Sequence, residues 1–336
     1  MRLNFISRRE FFKYLSLSLL LFLNSCRNSF EKVKITFQDK FLPKPIKDTF
    51  PKNWVKTNLD FKNLSSKKYS QILKNSDFCI VNDGWLNKIQ TDQFYNINSN
   101  YLLEKLDYKS KKYLNSFSAN QKNKLFPIGV IPYAIVIKNN KDLINTASKS
   151  WDFLLKDNLK EKIILPNSPR LVISISDKIK ETNSLRKLRK QVKLFDDKNS
   201  LNWLTNSDAI VAVVPYTLCR DFLKIDSRLS IVFPNNGTPL IWQFLLLKSE
   251  LRKGNLVDWV DSLESPEVID KLSANGWYLP FKNQYNQEKY FLNNNYTSSR
   301  DLKPSKDCWL NSWSFKPLEE KEKIRLENIW NISLSP

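Results

Sequence analysis

The chain has 336 residues, and 54 Lys and Arg stand against 34 Asp and Glu, a formal net charge of +20. It holds no histidine and five glycines, Gly84, Gly129, Gly237, Gly254 and Gly276. The usual general base, the usual partner of a Ser or Cys nucleophile and the commonest metal ligand are therefore missing. No two glycines are close enough for a G-x-G-x-x-G loop, a P-loop or a G-x-S-x-G elbow. The expectation is a protein that is not an enzyme and needs neither cofactor nor metal.

The first element is Ser7 to Cys26, S-R-R-E-F-F-K-Y-L-S-L-S-L-L-L-F-L-N-S-C. Arg2, Arg8, Arg9 and Lys13 form a cationic head, and Leu15 to Leu23 an apolar run. This is the make-up of an export signal, and the run is shorter than the ~20 apolar residues of a membrane span. The ending Leu23-Asn24-Ser25-Cys26 resembles the lipobox of bacterial lipoproteins, in which the cysteine thiol takes the lipid and the signal is cut before it. Residues 1–25 are then the signal, Cys26 the lipid attachment and residues 26–31 a tether; an uncleaved signal anchor is the competing reading. Ser7-Arg8-Arg9-Glu10-Phe11-Phe12-Lys13 also resembles a twin-arginine signal, with an ordinary secretion signal as the alternative. Residues 1–25 carry four cations against Glu10, a net of +3, so the cleaved chain keeps +17 of the +20. Its Lys is spread along the whole chain, which reads as solvated surface; anionic lipid headgroups fit an exported basic protein better than nucleic acid.

About 310 mature residues suit two lobes, each with its own core. Lys32 to Phe37 alternates with period two, a strand signal, and Trp54 to Phe61 reads as a second strand. Ser65 to Leu73 reads as a helix behind a capping serine. Asp77 to Val81 is an apolar strand that ends in the polar loop Asn82-Asp83-Gly84-Trp85. In open α/β sheets ligands bind beside such loops, at the carboxyl ends of strands. Tyr101 to Phe117 has helical spacing. Phe126 to Ile137 is β-branched and interrupted by Pro127, Gly129 and Pro132, which makes it a bent strand and the crossover into a second lobe.

Trp151 to Asn158 reads as a short helix. Lys162 to Leu165 reads as a strand leading into Pro166-Asn167-Ser168-Pro169-Arg170 and a helix from Leu171, with Pro169 in its first turn. Glu181 to Phe195 reads as a basic helix, and its run Arg186 to Lys190 as a solvated face in preference to a phosphate grip, since no aromatics are interleaved. Asp208 to Val214 repeats the design of the Asp77 strand and ends at Pro215-Tyr216-Thr217. Leu229 to Phe233 is a strand, and Pro239 to Leu247 the return crossover. Leu256 to Leu263, Pro266 to Leu272 and Glu319 to Trp330 have the spacing of amphipathic helices. Beyond Cys26 the cysteines are Cys79, Cys219 and Cys308; an odd number gives no full disulfide framework. Cys79 and Cys219 read as small buried hydrophobes, with a single disulfide left open.

Two crossovers between α/β lobes behind a lipoprotein signal resemble the spermidine/putrescine-binding family, solute-binding proteins of ABC importers. The segments that carry this are Asp77 to Leu86, Trp151 to Ile173 and Phe233 to Trp242, and it spans loosely residues 32 to 280. The resemblance implies a two-lobe periplasmic-binding-protein fold, with lobe 1 at residues 32–127 plus 241–281 and lobe 2 at 128–240 plus 282–336. It further implies a monomer that clamps a small polar solute, a polyamine or another amine or zwitterion, and hands it to a membrane permease. The family's acidic ligand positions are replaced here by Ser168, Leu171 and Gln243. The expected cleft residues are Asp39, Asp83, Trp85, Ser168, Arg170, Tyr216, Trp242 and Gln243. Asp39 and Asp83 would pair a cation, the aromatic residues would offer π faces, and Ser168, Arg170 and Gln243 directional hydrogen bonds. Loss of the acids equally suits an envelope or thylakoid scaffold lipoprotein that kept the fold and lost the ligand.

Overall fold

The computed structural model describes residues 32–38, 42–58, 72–73, 75–89, 91–97, 99–282 and 303–334. The export signal, Cys26, Asp39 and most of the helix expected at Ser65 to Leu73 lie outside these residues. The strands are β1 (Val33–Phe37), β2 (Trp54–Asn58), β3 (Phe78–Asn82), β4 (Phe126–Lys138), β5 (Ile163–Leu165), β6 (Val192–Phe195), β7 (Val211–Pro215), β8 (Leu229–Val232) and β9 (Leu240–Leu247). They form a nine-stranded sheet in the order β2-β1-β3-β9-β4-β7-β5-β6, with β8 on β4.

Two parallel sets flank an antiparallel centre. On one side β1 runs parallel to β2 and β3; on the other β5 runs parallel to β6 and β7. Between them β4 and β9 lie antiparallel to each other and to their outer neighbours. β4 changes partner along its length. Phe126 to Pro132 pairs with β9, and Tyr133 to Lys138 pairs with β7 and β8. The prolines sit where a ladder tolerates them: Pro127 at a register shift, and Pro132 at the last pair with β9, opposite Leu240.

The helices that matter below are α1 (Lys44–Asp48), α2 (Asn100–Lys105), α3 (Tyr108–Leu114), α4 (Ala119–Lys122), α5 (Lys141–Ala147), α6 (Pro169–Ser176), α7 (Ser184–Gln191), α8 (Ser200–Asn206), α9 (Tyr216–Ile225), α10 (Lys253–Ser262), α11 (Pro266–Ala274), α12 (Lys306–Asn311) and α13 (Glu320–Ile332). Phe50, Trp54, Phe78 and Trp259 of α10 form a packed aromatic group on the β1–β3 side. A separate apolar cluster joins Ile135, Trp151, Leu165, Val172, Leu188 and Val213 on the β5–β7 side.

Some expectations change. Tyr101 to Phe117 is two helices, because Asp107 starts α3 by accepting the Ser110 N–H at 2.6 Å. The basic stretch Glu181 to Phe195 is helical only over α7; Val192 turns extended and pairs with Ile163 as β6. Alternating Val192, Leu194 and a following Phe195 favour a strand once a parallel partner is present. The basic run is not wholly solvated either. The Arg189 guanidinium lies 3.8 Å from the Trp330 ring centroid, and Nη1 donates to the Trp330 carbonyl and Ser333 Oγ, each at 2.7 Å. Arg189 thereby docks α13. Trp151–Leu155 is a 3-10 turn, and α5, α8 and α12 are helices that the sequence pattern did not announce. Cys79, Cys219 and Cys308 are buried thiols, and among the described residues they form no disulfide.

After α12 the chain runs as an extended strap, Ser312 to Glu319, into α13. Trp313 pairs with the start of β9: its N–H donates to the Thr238 carbonyl at 3.1 Å, and the Leu240 N–H donates to its carbonyl at 2.9 Å. Gly237 has φ +92°, and a Cβ there would stand 2.2 Å from the Asn311 carbonyl oxygen. Only glycine allows α12 and the strap to lie this close.

Candidate functional site

A cavity of about 450 Å³ opens between the two parallel sets, at the carboxyl ends of their strands. Chain direction sets its walls. β1 and β3 run into Gln38 and into Asn82, Asp83 and Trp85 on one wall. β5 runs into Pro166, Ser168 and Arg170, and β6 into Asp196 and Asp197, on the other. Tyr133, where β4 changes partner, and Ile241 of β9 lie between, and Phe315 to Leu318 of the strap complete the lining.

Asp83 is the first residue of a 3-10 turn directly after β3. It is half-buried in the cavity wall, and this burial pushes its carboxyl up to about 7 against the opposing pull of the Tyr113 hydroxyl, the Trp242 and Gly84 N–H groups and the Arg170 charge. The Tyr113 oxygen of α3 stands 3.1 Å from Asp83 Oδ2 and 2.7 Å from the Phe315 carbonyl oxygen. Burial, then the Asp83 charge, raises the phenol well above its ordinary value. Across the cavity Arg170, in the first turn of α6, stacks on Phe315 with 5.1 Å from guanidinium to ring centroid, and its Nη2 donates to the Lys316 carbonyl. Ser168 precedes α6 without a side-chain capping bond.

Asp196 accepts the N–H groups of Lys198 and Asn199 on Oδ1, at 2.5 and 2.8 Å, and the Trp203 indole on Oδ2 at 3.2 Å. Burial opposes these donors, yet they hold its carboxyl below the usual range. Asp197 accepts the Asn167 N–H at 3.0 Å. Tyr133 lies within the field of both walls: burial raises its phenol, and so do the charges of Asp197 and Asp83.

Of the residues singled out in the sequence, the cavity brings together Asp83, Trp85, Ser168 and Arg170. Asp39 lies outside the described residues. Tyr216, Trp242 and Gln243 are buried away from it. Tyr216 opens α9 and packs edge-on against Phe233, centroids 5.1 Å apart. Trp242 faces the Tyr113 ring at 4.9 Å and donates to Ser314 Oγ at 2.7 Å, so its indole supports α3 and the strap. Gln243 is buried in the middle of the sheet, where it pairs with Asn82 and Gly129. Tyr113, Tyr133, Asp196, Asp197, Phe315 and Lys316 were missed. The Asp196-Asp197 pair carried a usable signal: a strand ending at Phe195 puts it at a carboxyl end, and reading that stretch as helix hid it.

No protein-family model matches the chain, and no curated protein matches it. Solved structures do. The spermidine/putrescine ABC transporter substrate-binding protein PotD of Streptococcus pneumoniae is 12% identical, with a TM-score of 0.65 over 90% of this chain and 98% of its own. The fold is that of the two-lobe periplasmic binding proteins. The Tp0655 (TpPotD) lipoprotein of Treponema pallidum matches at 9% identity and a TM-score of 0.60, over 90% of this chain and 98% of its own. A ferric binding protein of Campylobacter jejuni matches at 15% and 0.57, over 90% and 99%. Identities this low carry the architecture and leave the ligand open. Among the described residues no helix is long and apolar enough to cross a membrane.

Proposed function

We propose that the chain is the substrate-binding lipoprotein of an ABC-type importer, of the polyamine transport kind. It takes a small polar solute with one or two ammonium groups, or a zwitterion, and delivers it to a membrane permease. The lobes are residues 32–127 with 241–281 and residues 128–240 with 282–336, and lipid on Cys26 anchors them at the periplasmic face of a bacterial membrane. One observation carries this reading: a cavity at the carboxyl ends of two strand sets has Asp83 on one wall, Asp196 and Asp197 on the other, and Trp85 and Tyr133 as aromatic faces. An ammonium between such walls gains from both lobes at once, which favours the closed state by that differential affinity.

The magnitudes limit the affinity. A charge-assisted hydrogen bond contributes ~1.5–3 kcal/mol, and Asp196 already serves three donors. Asp83 and Asp197 together give ~3–6 kcal/mol and an aromatic face ~0.5–2, which reaches the about 8 kcal/mol of micromolar binding only at the upper limit of both. Spermidine and putrescine should therefore bind near the millimolar range. Isothermal titration tests this, read together with small-angle scattering. Expected are a weak constant that weakens further on Asp83→Asn and a radius of gyration that falls with ligand. Absence of heat from every polyamine and zwitterionic amine, with no small molecule retained by natively purified protein, would sink the reading. Separately, Cys26→Ala should release the protein from membranes or leave it uncleaved. One observation favours the scaffold reading: the strap carries Phe315 and Lys316 into the cleft mouth. Binding without compaction would support it.

A further inference from the structure

Tyr113 has one hydroxyl proton and two acceptors in reach, the Phe315 carbonyl at 2.7 Å and Asp83 Oδ2 at 3.1 Å. A carbonyl oxygen only accepts, and so does an ionised carboxylate. Both contacts are hydrogen bonds together only when Asp83 carries a proton and donates it to the Tyr113 oxygen, which then donates to Phe315. When Asp83 is ionised the phenol proton turns to the carboxylate, the stronger acceptor, and the Phe315 carbonyl loses its donor.

We propose that the proton on Asp83 works a latch on the C-terminal strap: with it, Asp83, Tyr113 and the Phe315 carbonyl form one continuous chain of hydrogen bonds across the cleft, and without it the strap is let go at Phe315. The neighbouring residue gives the latch its mechanical sense. Lys316 is held through its carbonyl by Arg170, from the opposite wall. Within two residues the strap is thus tied to α3 on one side and to α6 on the other. Untying Phe315 leaves Ser314 on the Trp242 indole at 2.7 Å and the Ser312 carbonyl on Lys109 of α3 at 2.7 Å, so the strap loosens locally between Ser314 and Lys316, at the mouth of the cleft.

The groups facing Asp83 set where this happens. Arg170 from α6 and the N–H groups of Gly84 and Trp242 favour the ionised form. Tyr113 from α3 and Tyr133 from β4 feel its charge, while Lys316 on the strap and Asp196 and Asp197 beyond β6 line the same cavity. Burial outweighs the favourable contacts and brings the carboxyl to about 7. The latch belongs to the ligand-free protein and stands whichever solute the cleft takes.

Hydrogen–deuterium exchange of the full chain at pH 6 and pH 8 tests it, followed over Trp313 to Lys316 with each rate corrected for intrinsic exchange. Wild-type protection should fall about tenfold with the rise in pH, the effect of one lost hydrogen bond. Asp83→Asn, whose amide donates to the Tyr113 oxygen at every pH, should stay protected at both. Tyr113→Phe should be unprotected at both. Unchanged wild-type protection, or an Asp83→Asn variant that falls as the wild type does, overturns the latch. If Tyr113→Phe does not fold, the other two proteins decide.

Discussion

Replacing Asp83 by Asn should change how stability depends on pH, in a direction and by an amount the site fixes. The Asp83 carboxyl moves from 3.8 to about 7 on folding. Between those values the folded protein binds the proton and the unfolded chain does not. Stability from this group is therefore complete below the unfolded value, is lost as pH rises toward about 7, and is level above it. Each unit is about 1.4 kcal/mol, so roughly 4 kcal/mol is lost in all, about 3 kcal/mol of it between pH 5 and 8. Asn carries no charge to bury, and its oxygen still accepts the N–H groups of Gly84 and Trp242. Urea unfolding at pH 5 and pH 8 should find Asp83→Asn gaining about 3 kcal/mol on the wild type over that interval, and more stable outright at pH 8. The chain has no histidine to obscure this window. Asp107 is also raised by burial, but it is common to both proteins and cancels in the comparison. Parallel curves for the two proteins would show that Asp83 is ionised throughout, and that the burial described here does not control it.

Other expectations rest on separate contacts. Gly129 faces Trp277, whose Cζ2 would stand 2.0 Å from an added Cβ; Trp277 is wholly buried, so Gly129→Ala should cost at least about 1–3 kcal/mol, read as a lower melting temperature. An unchanged melting temperature would mean the indole moves freely. Arg189→Ala removes two hydrogen bonds and the Trp330 stacking; at a half-exposed site this should cost about 1–2 kcal/mol and admit protease to α13 before the rest of the chain, whereas uniform resistance would show α13 held by other contacts. Burial raises the thiols of Cys79 and Cys308 to about 12, so a thiol reagent at pH 8 should label them only on unfolding. Rapid labelling of native protein would place them nearer the surface.

Where one strand set and its pattern decide the outcome, the sequence was readable. β1, β3, β4, β7 and β9 are runs of β-branched and aromatic residues bounded by Pro, Gly, Asn or Asp, and each was found close to its true ends. The bend expected of β4 rested on Pro127, Gly129 and Pro132, and Pro127 stands at its register shift; the exchange of partners along it was not foreseen. The errors fall where tertiary contact overrides local preference. The stretch from Val192 to Phe195 follows a strongly basic helix and has one neighbour, β5, which no local pattern reveals. α12 is six residues long, capped by Ser305 accepting the Cys308 N–H at 3.1 Å, and stands on buried Cys308 and Trp309. So short a helix is fixed by its packing and not by its own propensity.

The site was half legible, for a reason that bears on how its charge should be understood. Loops at the carboxyl ends of recognised strands gave Asp83, Trp85, Ser168 and Arg170, because chain direction alone aims them at the cleft. The resemblance implied acids at three positions, where this chain has Ser168, Leu171 and Gln243. Complementarity to a cation, however, belongs to the cavity and not to alignment columns. A carboxylate at the end of β6 faces the same cavity as Ser168 after β5, and under the proposed function Asp197 is the acid on that wall. The strap is the opposite case: Phe315 stands over 200 positions from Asp83 in the chain, and the paired bonds of Trp313 with Thr238 and Leu240, with Trp242 on Ser314 and Arg170 on Lys316, bring it there. No spacing rule connects a tyrosine, an aspartate and a backbone carbonyl so far apart. Yet in the proposed latch the proton on Asp83 sets which way the Tyr113 hydroxyl donates, and so ties the charge of the cleft to the hold on the strap at Phe315.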